Sequence, residues 1–197
     1  SDDWMGLRPK LEEHGIVFDG SVTADISSNF HGGANTNGGS FRHLLNLNFT
    51  VNTEQLAGWK NGTFFLNFQN HNGEDGSGDT GDIQAYSNID SDGRTEIAEL
   101  WYEHVFMDGK LRIKIGKVEV NSEFAFVDNG GEFINSSMGF SPTIFVFPTY
   151  PDPATSVNVF VYPTENIYAG VGVYDGAAQE GITTGSRGPK TFFGKPS

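Results

Sequence analysis

The stretch that decides the fold is Glu96-Ile97-Ala98-Glu99-Leu100-Trp101-Tyr102-Glu103-His104-Val105-Phe106, turned by Met107-Asp108-Gly109 and answered by Lys110-Leu111-Arg112-Ile113-Lys114-Ile115. Side chains along a strand alternate between faces with period two. The first run therefore puts Ala98, Leu100, Tyr102 and Phe106 on one face and Glu99, Trp101 and Glu103 on the other. The second puts Leu111, Ile113 and Ile115 against Arg112 and Lys114. The pair reads as a hairpin with one apolar face and one face of acids, bases and an indole. A soluble sheet turns its apolar face to a core. A membrane barrel turns it to lipid and keeps its polar face in a wet lumen.

Five further runs alternate in the same way. Residues 18–30 set Val22, Ala24 and Ile26 against Thr23, Asp25 and Ser27. Residues 41–53 set Leu45, Leu47, Phe49 and Val51 against Asn46, Asn48, Thr50 and Asn52. Residues 63–70 set Phe64, Leu66 and Phe68 against Asn67 and Gln69. Residues 156–162 set Val157, Val159 and Val161 against Asn158, and 167–174 set Ala169, Val171 and Val173 against Gly170 and Gly172. Bounded by Gly, Asn and Asp, these runs and the hairpin predict seven antiparallel strands. Ahead of them, the chain predicts its one good helix, with Asp3 as cap, Leu7 and Leu11 at helical spacing, and Gly15 as stop.

The connections sort by length. In order they are 31–40, 54–62, 71–95, 107–109, 119–155 and 163–166. In a meander the first, third and fifth share one end, and these carry the longest segments. One rim of long loops opposite one rim of short turns is the pattern of bacterial outer-membrane barrels, which have even strand numbers. Seven is odd, and residues 190–197 do not read as a closing strand. An open edge in lipid costs several kcal/mol for each unpaired backbone group. The expected fold class is therefore all-β: an antiparallel up-and-down transmembrane β-barrel, present in part as about seven strands, with a short N-terminal helix.

Composition narrows the function. The net charge of −13 lacks the basic footprint that nucleic acid requires. The chain has no cysteine, so it has no disulfide framework and no thiolate metal site. No apolar run approaches the roughly 20 residues of a membrane helix, which leaves strand-built membrane proteins open. The start at Ser1-Asp2-Asp3, without a signal peptide, is consistent with a processed export product.

Several short stretches resemble the OprB-type carbohydrate-selective porins of bacterial outer membranes. They are Asp3-Trp4-Met5-Gly6-Leu7-Arg8-Pro9-Lys10-Leu11 with Gly15-Ile16, Leu56-Ala57-Gly58-Trp59, Gly62-Thr63-Phe64-Phe65, Ser87-Asn88-Ile89-Asp90, Glu99-Leu100-Trp101-Tyr102-Glu103, 111–117, Phe133-Ile134-Asn135-Ser136-Ser137 and Val173-Tyr174-Asp175-Gly176. They run in family order across residues 3–176, and the resemblance fades from Ala177. It implies a sixteen-stranded barrel of about twice this length that passes small sugars by diffusion, without cofactor, in the bacterial outer membrane. It also implies contact with lipid and lipopolysaccharide, and assembly as a homotrimer. On this reading residues 1–15 are a periplasmic helical segment, 16–176 carry barrel strands and long extracellular loops, and 177–197 are a tail of unassigned role.

The polar face of the hairpin is the first candidate site. Sugars stack on aromatic faces and have their hydroxyls gripped by polar groups. Glu99, Trp101 and Glu103, opposite Arg112 and Lys114, supply both. Four of the twelve basic residues fall between Lys110 and Lys117. The plainer reading is a cross-strand ion-pair ladder that holds register. Lys117 sits on the apolar parity, which requires a bulge or an interfacial position where it can snorkel. The connection 119–155 is too long for a structureless loop without function. By porin analogy it folds inward, with Phe124, Phe126, Asp128, Asn129, Glu132 and Asn135 lining a constriction. The plainer readings are a surface flap, or a further strand within 143–147.

Other motifs carry less. Asn88, Asp90, Asp92, Gly93 and Glu99 match EF-hand positions. No helices flank them, and Glu99 lies inside a strand, so Asp90 and Asp92 are weak calcium candidates. The acidic loop of Glu74, Asp75, Asp79 and Asp82 reads as solvated, or as meeting divalent ions at a lipopolysaccharide surface. Glu99 and Glu103 lie roughly 13 Å apart along one strand, beyond the usual glycosidase spacing of about 5–9.5 Å. The five histidines show no ligand spacing, and an enzyme is not expected. Phe18, Phe41, Trp59, Phe106, Tyr162, Tyr168 and Tyr174 stand near strand ends, where interfacial girdles form. The rival to a porin is a secreted soluble β-sandwich that binds carbohydrate, with its apolar faces packed on each other.

Overall fold

The computed structural model describes residues 3–74, 76–83, 85–130, 133–135 and 147–176. The seven strands are β1 (Ile16–Ser28), β2 (Gly39–Asn52), β3 (Gly62–Gly73), β4 (Arg94–Phe106), β5 (Leu111–Val118), β6 (Ala154–Thr164) and β7 (Ile167–Tyr174). Each pairs antiparallel with the next, giving a single sheet in chain order with β1 and β7 at its edges. Among the described residues no second sheet covers the apolar face, so the sandwich reading has no counterpart.

Polarity is inverted relative to a soluble sheet. Leu47 pairs with Phe68, Phe49 with Leu66, Leu66 with Leu100 and Tyr102 with Ile115, all on the outer face. Val22, Ile26, Phe49, Leu100, Ile115 and Val171 of that face are exposed. The inner face buries Arg42, Asn67, His71, Lys114, Ser156 and Asn158. It also carries a polar chain across strands: Asn67 Nδ2 donates to Asn48 Oδ1 at 2.7 Å, and Asn48 Nδ2 to Asp19 Oδ1 at 2.8 Å.

Strand parity is corrected at one point. The register slips between Asn67 and Phe68, so that Asn67 faces Glu99 while Phe68 faces Ile97. Ala98 is the extra residue of a β-bulge. Ile97, not Ala98, therefore joins Leu100 outside, and Ala98 is buried. The bulge also accommodates Lys117. Its Nζ donates to Ile97 O at 2.9 Å and to Glu96 Oε2 at 2.9 Å, which keeps the ammonium out of the apolar face.

The rims differ as the connections predict. β1–β2, β3–β4 and β5–β6 are joined at one end, and β2–β3, β4–β5 and β6–β7 at the other. The hairpin turn takes positive φ at Met107 (54°), Asp108 (51°) and Gly109 (92°), which Gly109 adopts without the cost a Cβ would add. Helix α1 (Leu7–Glu13) stands beside the short-turn rim, with the Trp4 ring 5.6 Å from Phe18. Its N-cap is Gly6; Asp3 instead accepts from Met5 N within the preceding turn. Among the described residues, three further short helices have no sequence period to announce them: α2 (Thr53–Ala57), α3 (Ser77–Thr80) and α4 (Val120–Phe124). Asn52 caps α2 by accepting from Glu54 N and Gln55 N.

Part of the expected aromatic girdle forms. On the outer face near the short-turn rim, Trp59 stacks on Tyr102 at 5.1 Å, Phe64 lies 4.6 Å from Tyr102, and His104 lies 4.2 Å from Phe106. Tyr174 does not belong to it, because its partner Ser156 is an inner-face residue.

Candidate functional site: the inner wall and its loops

The long connection after β5 turns inward at once. Glu119 N donates to Glu99 Oε2 at 3.0 Å, and Glu119 Oε1 accepts from Thr149 Oγ1 at 2.8 Å. Helix α4 then runs along the inner wall. Phe124 stacks on Phe160 of β6 at 5.2 Å. Gly170 and Gly172 of β7 leave the space for this: a Cβ on Gly172 would stand 2.8 Å from the Phe124 ring.

Glu123 of α4 completes a closed ring of four charges. Arg112 donates to Glu103 Oε2 at 3.0 Å and to Glu123 Oε2 at 2.6 Å. Lys114 Nζ lies 3.3 Å from Glu103 Oε2 and 2.5 Å from Glu123 Oε1. Each cation thus touches both carboxylates. The Glu123 side chain is 2% exposed, while Arg112 and Glu103 keep 22% and 19%. Sequence reasoning found three of the four members and missed Glu123, which sits in a five-residue helix with no period.

Trp101 joins this ring differently from expectation. Lys114 Nζ lies 3.9 Å above the indole, and Phe65 of β3 stacks on it at 4.9 Å. The indole is thus flanked from the strands on both sides of β4. The inner-face aromatics of β6 and β7 differ in access, with Phe160 buried and Tyr168 open. Tyr162 and Tyr168 lie 6.0 Å apart, Tyr168 lies 6.4 Å from Phe160, and the Arg112 guanidinium lies 4.4 Å over Phe160. Tyr168 is 68% exposed. These rings run from the short-turn rim toward Phe124. The signal was present in the even-numbered parity of Phe160, Tyr162 and Tyr168, which the interfacial reading passed over.

The second long connection is fastened beside the first. Arg42 of β2 is 0% exposed and reaches Asp90 Oδ1 at 3.1 Å, Ser27 Oγ at 2.7 Å and Glu74 O at 3.0 Å. Asp90 Oδ2 also accepts from Tyr86 N at 2.7 Å and Ser87 N at 2.8 Å, and Ser87 donates to the Asp25 carboxylate. Asp90 is therefore occupied by a guanidinium and two amides, a poor setting for calcium. Asp92 is exposed. The acidic loop is bonded as well: Asp79 accepts from Asn35 Nδ2 of the 29–38 connection at 3.0 Å, and Asp82 from Ser77 Oγ at 3.2 Å.

The two connections also clasp each other. Asn88 N donates to Ile134 O at 2.7 Å, Asn88 Nδ2 to Phe133 O at 2.8 Å, and Asn135 to Ala85 O. Tyr150 hydroxyl donates to Ile89 O at 3.1 Å; burial pushes that phenol up to about 12, so it stays a donor near neutral pH. Arg94 donates to Asp152 at 2.8 Å. Of the other constriction candidates, Phe126 and Asn129 are exposed, and Asp128 lies in a 3-10 turn (Asp128–Gly130). Glu132 and residues 143–146 lie outside the described residues.

Comparison with known proteins agrees with this architecture. The carbohydrate-selective porin, OprB family, matches residues 36–193, extending past Ala177 where the sequence resemblance fades. The high-pH structure of Pseudomonas putida OprB superposes with a TM-score of 0.78 at 19% identity, covering 89% of this chain and 44% of that one. The low-pH structure gives 0.59 at 16% identity, covering 88% and 49%. The chain thus spans less than half the length of these solved porins. No curated protein matches it.

Proposed function

Because the chain belongs to the OprB family of carbohydrate-selective porins, we propose that it forms part of an outer-membrane barrel through which small sugars diffuse. The observation that carries this reading is the inverted sheet: apolar side chains exposed on one face, and Arg42, His71, Lys114 and Asn158 buried on the other. Lipid is the solvent that rewards such a face. Further strands complete the barrel to sixteen. The short-turn rim with α1 is periplasmic, and the long loops are extracellular.

The connections 74–93 and 119–153 narrow the lumen as one clasped unit. Solute passes the rings of Tyr162, Tyr168 and Phe124, with Phe160 buried behind them, and then the charged ring of Glu103, Arg112, Glu123 and Lys114. Tyrosine faces stack on a pyranose ring, and the charged groups exchange hydrogen bonds with its hydroxyls. Glu99 and Asn135 serve the walls and loops rather than the solute. Weak contacts suit a pore, because solute must both enter and leave. No cofactor enters this scheme.

The test is liposome swelling with the complete barrel. Glucose-sized sugars should enter faster than amino acids of similar size. The pair Trp101→Ala and Arg112→Ala should lower sugar flux more than amino-acid flux. Equal losses for both solutes would reduce the reading to an unselective pore, and a barrel monodisperse in plain buffer would end it.

A further inference from the structure

The charged ring holds a residue with two jobs. Among the side chains by which helix α4 meets the wall are Phe124, on Phe160 and Tyr174, and Glu123, on Arg112 and Lys114. Only the second contact fixes helix depth by charge-assisted bonds, at 2.6 and 2.5 Å. The same contact decides the local charge. Without Glu123, the wall would present Arg112 and Lys114 against Glu103 alone, a surplus of one positive charge. With it, two cations face two carboxylates. The partly exposed edge of the ring, Arg112 and Glu103, is then electroneutral toward the lumen.

Resting on the porin reading, we infer that Glu123 is the positioning residue of the constriction: one carboxylate seats α4 on the wall and cancels the charge of Arg112 and Lys114. The wall beneath α4 is thereby set for uncharged solutes, although its own strands carry a positive strip. Phe160 extends the link, because Arg112 lies over its ring. A shift of Arg112 is felt by the aromatic run as well as by the helix.

The experiment measures the potassium-to-chloride permeability ratio from reversal potentials across planar bilayers holding the complete barrel. Glu123→Gln keeps the shape and removes the charge. The ratio should fall roughly sevenfold, because one unit charge at about 7 Å in water shifts cation and anion by about 2.7-fold each in opposite directions. Arg112→Gln combined with Glu123→Gln returns the ring to neutrality and should restore the ratio. Glu123→Asp keeps the charge on a shorter arm; the ratio should hold while conductance changes as the helix shifts. An unchanged ratio in E123Q overturns the inference, as does a fall that R112Q/E123Q does not restore or that E123D reproduces. A wild-type barrel that passes no current overturns the porin reading itself.

Discussion

Two of the ion-pair clusters that hold the long connections to the inner wall are built to opposite standards. The Arg42–Asp90 pair is sealed, at 0% and 4% exposure, with its remaining groups on Ser27, Glu74 O and two amides. The Glu103–Arg112–Glu123–Lys114 ring is closed on the loop side and open on the other, where Arg112 and Glu103 keep about a fifth of their surface. A sealed pair is all structure, since breaking it strands a charge without water. A half-open ring can trade bonds with a passing solute. The same chemistry thus yields a rivet in one place and a half-open ring in another, and burial makes the difference.

The largest expected effect lies at the rivet. Asp90→Asn leaves Arg42 buried without its counter-charge and should cost about 3–5 kcal/mol. It would be read as a lower unfolding midpoint and rapid proteolysis within 74–93, with the potassium-to-chloride ratio of the folded fraction little changed. A milder stability loss with a large change in that ratio would erase the distinction between the clusters. Gly172→Val comes next. Its side chain would meet Asn158 Oδ1 and the rings of Tyr174 and Phe124, and overpacking of this kind costs about 1–3 kcal/mol. The expected outcome is displacement of α4, measured as altered single-channel conductance with the 74–93 loop still protected.

Smaller effects test the open side. Tyr162→Ala together with Tyr168→Ala should weaken sugar block of the current about two- to tenfold, the scale of lost ring contacts. Trp101→Phe should change sugar block least, within about twofold, because Phe65 and Lys114 flank the indole. If Trp101→Phe exceeded the tyrosine pair, the solute track would belong on β4 instead.

Strands were legible because their information is local. Alternation over eight to fourteen residues placed all seven, and even the sorting of loops to rims followed from counting. Arg112, Lys114 and Glu103 were legible for the same reason. What escaped was tertiary. Ala98 reads as one more alternating residue until Phe68 meets Ile97 across the slip. Asp90 resembles a cation ligand until Arg42 arrives from a distant strand. Glu123 has no pattern at all; its meaning is supplied by the two cations beneath it. The sequence motif Ser87-Asn88-Ile89-Asp90 was noticed only as a likeness, and its work is to pin one loop and clasp another.

On the porin reading, the alternating faces of this sheet separate lipid from lumen. The chain has no cysteine, so single cysteines can carry nitroxide labels without background. Labels placed one at a time on Leu45, Asn46, Leu47, Asn48 and Phe49 of the complete barrel in bilayers give collision rates with oxygen and with a water-soluble nickel chelate. Oxygen access should peak at Leu45, Leu47 and Phe49, and chelate access at Asn46 and Asn48. Chelate access at the apolar positions equal to that at the asparagines would contradict it.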